Sequence, residues 1–221
     1  MLGSMGLEII YSFTIIVCSL MIYFGTKELY ELSSYKGIKY LRISFLLFAF
    51  AYFFRSFIKI FFRLMDPPSI FNISPVLSQF VSLFIFIYCS SMAIFYLIYS
   101  MMWKKWGKSK KIIYLLHIIA LAAASISIAF NSAMIYLIIN AIILMFIMTI
   151  IYNSYYGLGK NTKKKFDLYA IYILLFIFWM LNVLDILVPE FLQTFQLLIY
   201  LASLGIFLTI LYKVLKKSGP N

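Results

Sequence analysis

The residues of this chain most able to do chemistry are three cations inside a helix-length apolar run. Residues 40–65 read YLRISFLLFAFAYFFRSFIKIFFRLM and carry Arg55, Lys59 and Arg63. A cation within a membrane span is costly, and it commonly marks a functional site or a specific partner. Steps of four residues turn each cation about 40° from the last, so the three form one stripe of a helix. Arg63 is predicted at the surface and Lys59 can snorkel, which leaves Arg55 as the deep cation.

The acidic residue Asp185 lies inside the apolar segment FIFWMLNVLDILVP, at a predicted depth close to that of Arg55. We predict that Arg55 and Asp185 face each other or share a cavity in the outward half, with Asn182 one turn deeper on the face of Asp185. Lys59 and amides at comparable depth on other segments complete the candidate ligand-binding set: Lys59, Gln79, Asn140 and Gln196. Gln193 lies at a similar depth. Two interpretations stay open, an ion pair that fixes helix packing and a polar cavity that binds a small ligand.

The composition places this chemistry in a bilayer. Of the 221 residues, 65% are hydrophobic and 12% are charged, whereas about 25% of residues are charged in soluble domains. The net charge of +12 comes mostly from short segments between apolar runs. Such basic segments follow membrane topology and lack stacking platforms of their own, so nucleic acid is not an expected partner.

Seven apolar stretches reach the roughly 20 residues that a helix needs to cross a hydrocarbon core of about 30 Å. They cover residues 7–26, 40–65, 75–103, 112–130, 132–152, 168–188 and 191–213. The runs are continuously apolar, without the alternation of a spanning strand, and helices satisfy their own backbone hydrogen bonds in lipid. The sequence therefore predicts an all-α fold in which a single domain, residues 1–221, crosses the membrane seven times.

The charges of the connecting segments alternate along the chain. Basic residues follow the first, third, fifth and seventh stretches, as Lys27, Lys36, Lys39 and Arg42, then KKWGKSKK, then KNTKKK, then Lys213, Lys216 and Lys217. By the positive-inside rule, the amino terminus is outside and the carboxyl terminus is cytoplasmic, in a multi-pass protein of the plasma membrane. The cationic inner face is suited to anionic lipid headgroups or to an acidic cytoplasmic partner.

The order of these segments also suggests an internal symmetry. Stretches one to three and five to seven each read as span, basic segment, polar-marked span, proline turn, span and basic segment, with the fourth stretch between them. Both triplets start on the same side, so a repeat would be parallel. Transporter sites commonly lie at repeat interfaces near the midplane, which makes a 3+1+3 arrangement relevant to transport.

Several functional classes lack the residues that they need. One histidine and two cysteines do not form the usual metal or haem ligand sets. Asp185 has no second buried carboxylate, and no Gly-rich phosphate loop is present, so we expect neither an enzyme nor a bound cofactor. His117 is expected to pack or to bond a backbone group, with pH sensing as the alternative.

The layout of seven helices with an outside amino terminus resembles the opsins and the G-protein-coupled receptors. Microbial opsins attach retinal through a lysine midway along the last helix, and residues 192–212 contain none. The segment from Arg42 to Arg55, RISFLLFAFAYFFR, resembles the second helix of the seven-helix membrane regions of microbial sensor proteins. Those regions usually precede a cytoplasmic kinase or cyclase domain, which we do not expect in this sequence. The resemblance therefore implies that this chain signals to a separate cytoplasmic partner.

Two functions therefore remain after the sequence is read. The first is a membrane-embedded module that senses a ligand or binds a partner through a polar cavity in its outward half. The alternative is a transporter or channel for a small anionic or zwitterionic solute. Alternating access needs a polar path to the cytoplasm, whereas a sensor can close its inner half with apolar packing.

Overall fold

Every element of the described structure is a helix. The computed structural model describes residues 2–64, 75–106, 110–130, 133–156, 173–174, 176–181 and 193–218. The helices with defined bounds are α1 (Leu2–Gly25), α2 (Lys27–Ser33), α3 (Lys36–Leu64), α4 (Pro75–Trp106), α5 (Lys110–Phe130), α6 (Ala133–Tyr156) and α7 (Gln193–Ser218). Residues 173–174 and 176–181 are also helical. The prediction of an all-α fold is confirmed.

Several of these helices have the length and composition of membrane spans. Among the described residues, four stretches are long and apolar enough to cross a bilayer: Ile9–Ser33, Lys36–Ser56, Phe80–Ser100 and Lys111–Phe130. A further apolar stretch, Leu197–Lys213, is shorter. Most of the predicted sixth span, residues 168–188, lies outside the described residues. These helices identify a helical membrane protein, whose continuous apolar runs form helices because lipid offers the backbone no other hydrogen-bond partners.

The first connection contains a short helix, α2, where the sequence analysis placed only a basic segment. The Thr26 hydroxyl donates to the Ile22 carbonyl at 2.7 Å, at the junction of α1 and α2. The second helix ends where Ser34 adopts a left-handed φ of 49°, and the Ser34 N–H donates to the Tyr30 carbonyl at 2.9 Å. Because only Ser34 and Tyr35 separate the helices, α3 begins four residues before the predicted residue 40.

Exposed lysines gather at one end of the described bundle. At the end where α1 finishes and α3 begins, Lys27, Lys36 and Lys39 are exposed, and Lys111 is exposed at the start of α5. We call this the lysine end and the opposite one the far end. Arg42 lies near the lysine end of α3, and Arg55 lies toward its far end.

The third helix is the centre of the packing. It packs against α1 on one side and α4 on the other, while α5 packs on α4, α6 packs on α5 and α4, and α7 packs on α1. The helical residues 176–181 also reach α3, because the Phe178 ring contacts Phe48 and Tyr52. Phe178 contacts Phe207 of α7 as well. Thus α3 contacts elements from both ends of the sequence.

Small residues at intervals of seven bring α3 and α4 together. The Ser100 hydroxyl donates to the Gly37 carbonyl at 2.7 Å, and the Ser44 hydroxyl donates to the Ala93 carbonyl at 2.6 Å. Ala51 lies seven residues after Ser44 on α3, and Phe86 lies seven residues before Ala93 on α4. Ala51 and Phe86 belong to one buried cluster. The α3–α4 seam is defined by Gly37, Ser44 and Ala51 with Phe86, Ala93 and Ser100. Small side chains let helix backbones approach closely in lipid, where helices gain nothing from leaving water.

A layer of four phenylalanines fills the middle of the bundle. Phe45 and Phe48 of α3, Phe178 of residues 176–181 and Phe207 of α7 are each at most 1% exposed. The Phe178 ring centroid lies 4.7 Å from that of Phe207 and 5.9 Å from that of Phe48. Phe45 and Phe207 are 6.0 Å apart and meet edge to face. We call these four rings the phenylalanine layer.

The α3–α4 seam yields a stability prediction. A β-carbon at Gly37 would overlap the Tyr35 ring and lie 3.0 Å from the Ser100 carbonyl oxygen, whereas one at Gly205 would have no neighbour within 4 Å. We expect Gly37→Ala to lower the free energy of unfolding by about 1–3 kcal/mol through overpacking. Gly205→Ala should be neutral or stabilising by up to about 1 kcal/mol, because alanine favours helix. Denaturant unfolding in detergent compares the two, and equal effects would contradict a close approach at Gly37.

Candidate functional site

Arg55 is held against an aromatic ring of the neighbouring helix. Its side chain is half-buried, and its guanidinium carbon lies 5.3 Å from the centroid of the Phe86 ring on α4. A cation over the face of an aromatic ring is attracted by the quadrupole of that ring. One residue earlier, the Phe54 carbonyl accepts a hydrogen bond from the Ser82 hydroxyl at 3.1 Å. The α3–α4 packing therefore fixes Arg55 at its depth.

Three buried tyrosines from different helices meet one helical turn from Arg55, on its side toward the lysine end. The Tyr11 ring of α1 stacks on Tyr200 of α7, with centroids 4.6 Å apart, and meets Tyr52 of α3 edge to face at 5.8 Å. The Tyr11 and Tyr52 hydroxyl oxygens are 3.5 Å apart. Tyr52 also contacts Phe86, the ring over which the Arg55 guanidinium lies. The Tyr52 and Phe86 ring centroids are 6.1 Å apart. We call Tyr11, Tyr52 and Tyr200 the tyrosine cluster.

The other predicted site residues differ in how far the structure places them. Asn140 is buried on α6, 5% exposed, in agreement with its predicted place inside a span. Lys59, Gln79, Gln193 and Gln196 belong to described helices, but their side chains lie outside the described structure. Asn182 and Asp185 lie outside the described residues altogether. The pairing of Arg55 with Asp185 therefore stays a prediction.

The Arg55 region is suited to binding a small polar ligand. A guanidinium presents up to five N–H donors, and a phenol hydroxyl can both donate and accept a hydrogen bond. The aromatic walls formed by Phe86 and the tyrosine cluster lower the local dielectric, which strengthens such bonds. Among the described residues, no three His, Cys, Asp or Glu side chains come together as a metal-ligand set. The groups present can orient a carboxylate or phosphate.

Comparison with other proteins gives one relative. Over 214 residues the chain is 29% identical to a protein of Archaeoglobus fulgidus described as uncharacterized, an alignment that spans 95% of this chain and 92% of that protein. No protein-family model matches the chain. No solved structure matches it either.

The tyrosine cluster was missed from the sequence, although a signal for it exists. Tyr11, Tyr52 and Tyr200 each fall several residues inside an apolar stretch. A tyrosine inside a span needs a protein hydrogen-bond partner for its hydroxyl, whereas one at the membrane surface can bond water. Depth along the predicted spans marks these three, as it also marks Tyr88 and Tyr96, and only the packing shows which of them meet.

His117 packs between two tyrosines of the neighbouring helix. Its Nδ1 lies 2.8 Å from the Tyr88 hydroxyl and its Nε2 lies 3.1 Å from the Tyr96 hydroxyl, both on α4. Of the two roles expected for His117, packing and a backbone hydrogen bond, the structure shows packing, with tyrosine side chains at both ring nitrogens. In a neutral imidazole one nitrogen donates and the other accepts, so one tyrosine accepts and the other donates. This arrangement joins α5 to α4 across two helical turns.

Aromatic contacts continue from His117 to α3. The Tyr96 ring stacks on Tyr40 of α3 with centroids 5.8 Å apart. Tyr40 in turn meets Tyr99 edge to face at 4.6 Å and Trp103 at 5.3 Å. These rings connect α3, α4 and α5 on the side toward the lysine end. They make His117 part of the packing that holds α5 in place.

The histidine bridge gives a second stability prediction. We expect His117→Phe to lower the free energy of unfolding by about 1–2 kcal/mol, because it removes two hydrogen bonds to part-buried hydroxyls. The matched control is Tyr114→Phe on the same helix, a ring that is 65% exposed, which should change stability by less than about 0.5 kcal/mol. Unfolding in detergent measures both. A His117→Phe protein as stable as the control would show that the bridge contributes nothing.

Proposed function

We propose that this protein is a membrane-embedded sensor that binds a small anionic or zwitterionic ligand at its far end. The binding site consists of Arg55 and the tyrosine cluster, completed by the predicted residues Lys59, Gln79, Asn140, Asn182, Asp185 and Gln196. The observation that carries this proposal is the phenylalanine layer directly below the tyrosine cluster. Phe178 touches both, since its centroid is 6.3 Å from that of Tyr52 and 5.9 Å from that of Phe48.

The position of the phenylalanine layer favours sensing over transport. A transported solute would have to pass between rings that are at most 1% exposed and that contact one another across α3, residues 176–181 and α7. Opening that layer would expose apolar surface to a polar solute, which is costly. A sensor needs only a shift of the helices that line its ligand, and α3 extends from the far-end site to the lysine end.

The finer architecture is part of the same proposal. We propose seven membrane spans, an outside amino terminus and a cytoplasmic lysine end, in a multi-pass protein of the plasma membrane. The exposed lysines Lys27, Lys36, Lys39 and Lys111 gather at one end of the described structure, which supports this orientation. The 3+1+3 parallel repeat read from the sequence is part of this proposal. The signal would pass to a separate cytoplasmic partner at the lysine end.

A ligand screen tests the function. The protein in detergent is incubated with small carboxylates, amino acids and phosphate esters, and a bound ligand raises the unfolding midpoint. We expect Arg55→Gln to weaken binding of that ligand by about tenfold or more, since it removes a charge-assisted hydrogen bond. Lys111→Gln removes an exposed cation of α5 and should leave binding unchanged. Equal binding by the wild type and Arg55→Gln contradicts the site.

The same ligand distinguishes the sensor from the transporter. The radiolabelled compound is offered to proteoliposomes that contain the wild-type protein or Arg55→Gln. A sensor binds the compound without accumulating it inside the vesicles. Uptake that requires Arg55 would instead support the transporter and contradict the sensor.

The predicted pair of Arg55 and Asp185 has a direct test. We expect Asp185→Asn to destabilise the protein, because it removes the predicted acidic partner of a cation at depth. Adding Arg55→Gln should restore part of that loss, with a coupling of about 1 kcal/mol or more between the two positions. Unfolding of the wild type, both single variants and the double variant completes the cycle. Simple additivity would contradict the pairing.

A further inference from the structure

Arg42 is held in a fixed orientation near the lysine end of α3. Its Nε donates a hydrogen bond to the Tyr23 carbonyl of α1 at 3.0 Å. The guanidinium carbon lies 4.8 Å from the centroid of the Tyr23 ring and 5.9 Å from that of Tyr30 on α2. The side chain is half-buried. A flexible arginine of α3 is thereby restricted by contacts with two neighbouring helices, α1 and α2.

The contacts of Arg42 use only part of its donor capacity. Tyr23 lies in the last turn of α1, where carbonyls lack helical partners and the helix dipole is negative. The Arg42 Nε bond therefore caps the end of α1. A guanidinium has five N–H groups. Within the described part of the chain, the two terminal nitrogens of Arg42 make no hydrogen bond. Four oriented donors are therefore available at the boundary of an apolar span.

The charges around Arg42 favour an anion. Lys39 is exposed one turn earlier on α3, and Lys36 lies 5.8 Å above the Trp103 ring. Glu28 and Glu31 are exposed on α2, and Glu31 pairs with Lys27 at 3.9 Å. Between residues 27 and 42 cations outnumber carboxylates. The local field therefore attracts an anion to Arg42.

We propose that Arg42 and Lys39 form a phosphate-binding site at the lysine end, separate from the far-end ligand site. The planar guanidinium matches two phosphate oxygens, and stacking on Tyr23 and Tyr30 reduces the entropy lost when it binds. The phosphate belongs to an anionic lipid headgroup or to a soluble phosphate. A headgroup fits the placement, because Tyr23, Tyr30 and Trp103 are the ring types that lie at membrane interfaces. This inference does not depend on the sensor function.

Binding by the full-length protein in detergent tests the site. The probes are short-chain phosphatidylglycerol, short-chain phosphatidylcholine and inorganic phosphate, each titrated while bound species are counted by native mass spectrometry. We expect phosphatidylglycerol to bind more tightly than phosphatidylcholine. Arg42→Lys keeps the charge but loses the planar fork, and should weaken phosphatidylglycerol binding by about tenfold.

Two further variants keep the test decisive. Tyr30→Leu removes one of the two rings that contact Arg42 and leaves Arg42 itself unchanged. It should weaken phosphatidylglycerol binding by about threefold. The proposal therefore remains testable if Arg42→Lys does not fold. Lys111→Gln removes an exposed cation at the same end and should bind as the wild type does. Phosphatidylglycerol binding that is unchanged in Arg42→Lys or Tyr30→Leu, or equally weakened in Lys111→Gln, overturns the site.

The inorganic phosphate arm identifies the source of the ligand. Phosphate binding with the same dependence on Arg42 supports a soluble occupant. Binding of phosphatidylglycerol with no measurable phosphate binding supports a lipid. Absence of Arg42-dependent binding by either probe overturns the proposal and leaves the far-end site unaffected.

Discussion

The close contact of α3 with α4 is the constraint on which the rest of the structure depends. Hydrogen bonds from Ser44 and Ser100 to backbone carbonyls fix the axial register of the two helices. A slip of one turn would move α3 by about 5.4 Å relative to α4. Arg55 and Tyr52 would then both lose their contact with the Phe86 ring. Because lipid supplies no hydrophobic drive for this pairing, the small residues at intervals of seven provide the close fit.

In the described part of the chain, aromatic side chains contact the cations and the histidine, where carboxylates are common partners in other proteins. The chain has only seven acidic residues, while 20% of its residues are Phe, Trp or Tyr. Arg55 lies over Phe86, Arg42 lies over Tyr23 and Tyr30, and His117 is bonded by tyrosine hydroxyls on both nitrogens. A ring stabilises a cation without adding a second charge that must also be desolvated. At Arg42, such partners leave the terminal nitrogens of the guanidinium able to bind an anion.

The sequence predicts the helices well because their signal is local. A continuous apolar run of about 20 residues determines a helix in lipid whatever it packs against, and the depth of Arg55 within α3 follows from helical rise. The short helix α2 was missed because KELYELS has the charges of a loop and lacks the length of a span. The partners of Arg55 and His117 depend on the relative register of different helices. That register depends on seam contacts far apart in the sequence, such as Gly37 with Ser100.

In the proposed architecture, a sealed phenylalanine layer separates a polar far-end site from the lysine end. Cysteine reactivity measures this separation, in a background with Cys18→Ala and Cys89→Ala, both native cysteines being buried. A single cysteine replaces the half-buried Arg55 of the far-end site, or the buried Ala49, which follows Phe48 of the layer on α3. We expect a small charged thiol reagent to modify the cysteine at position 55 from the far side only and the one at position 49 from neither side. Modification at position 49 from the lysine side, or no modification at position 55 from either side, would contradict the separation.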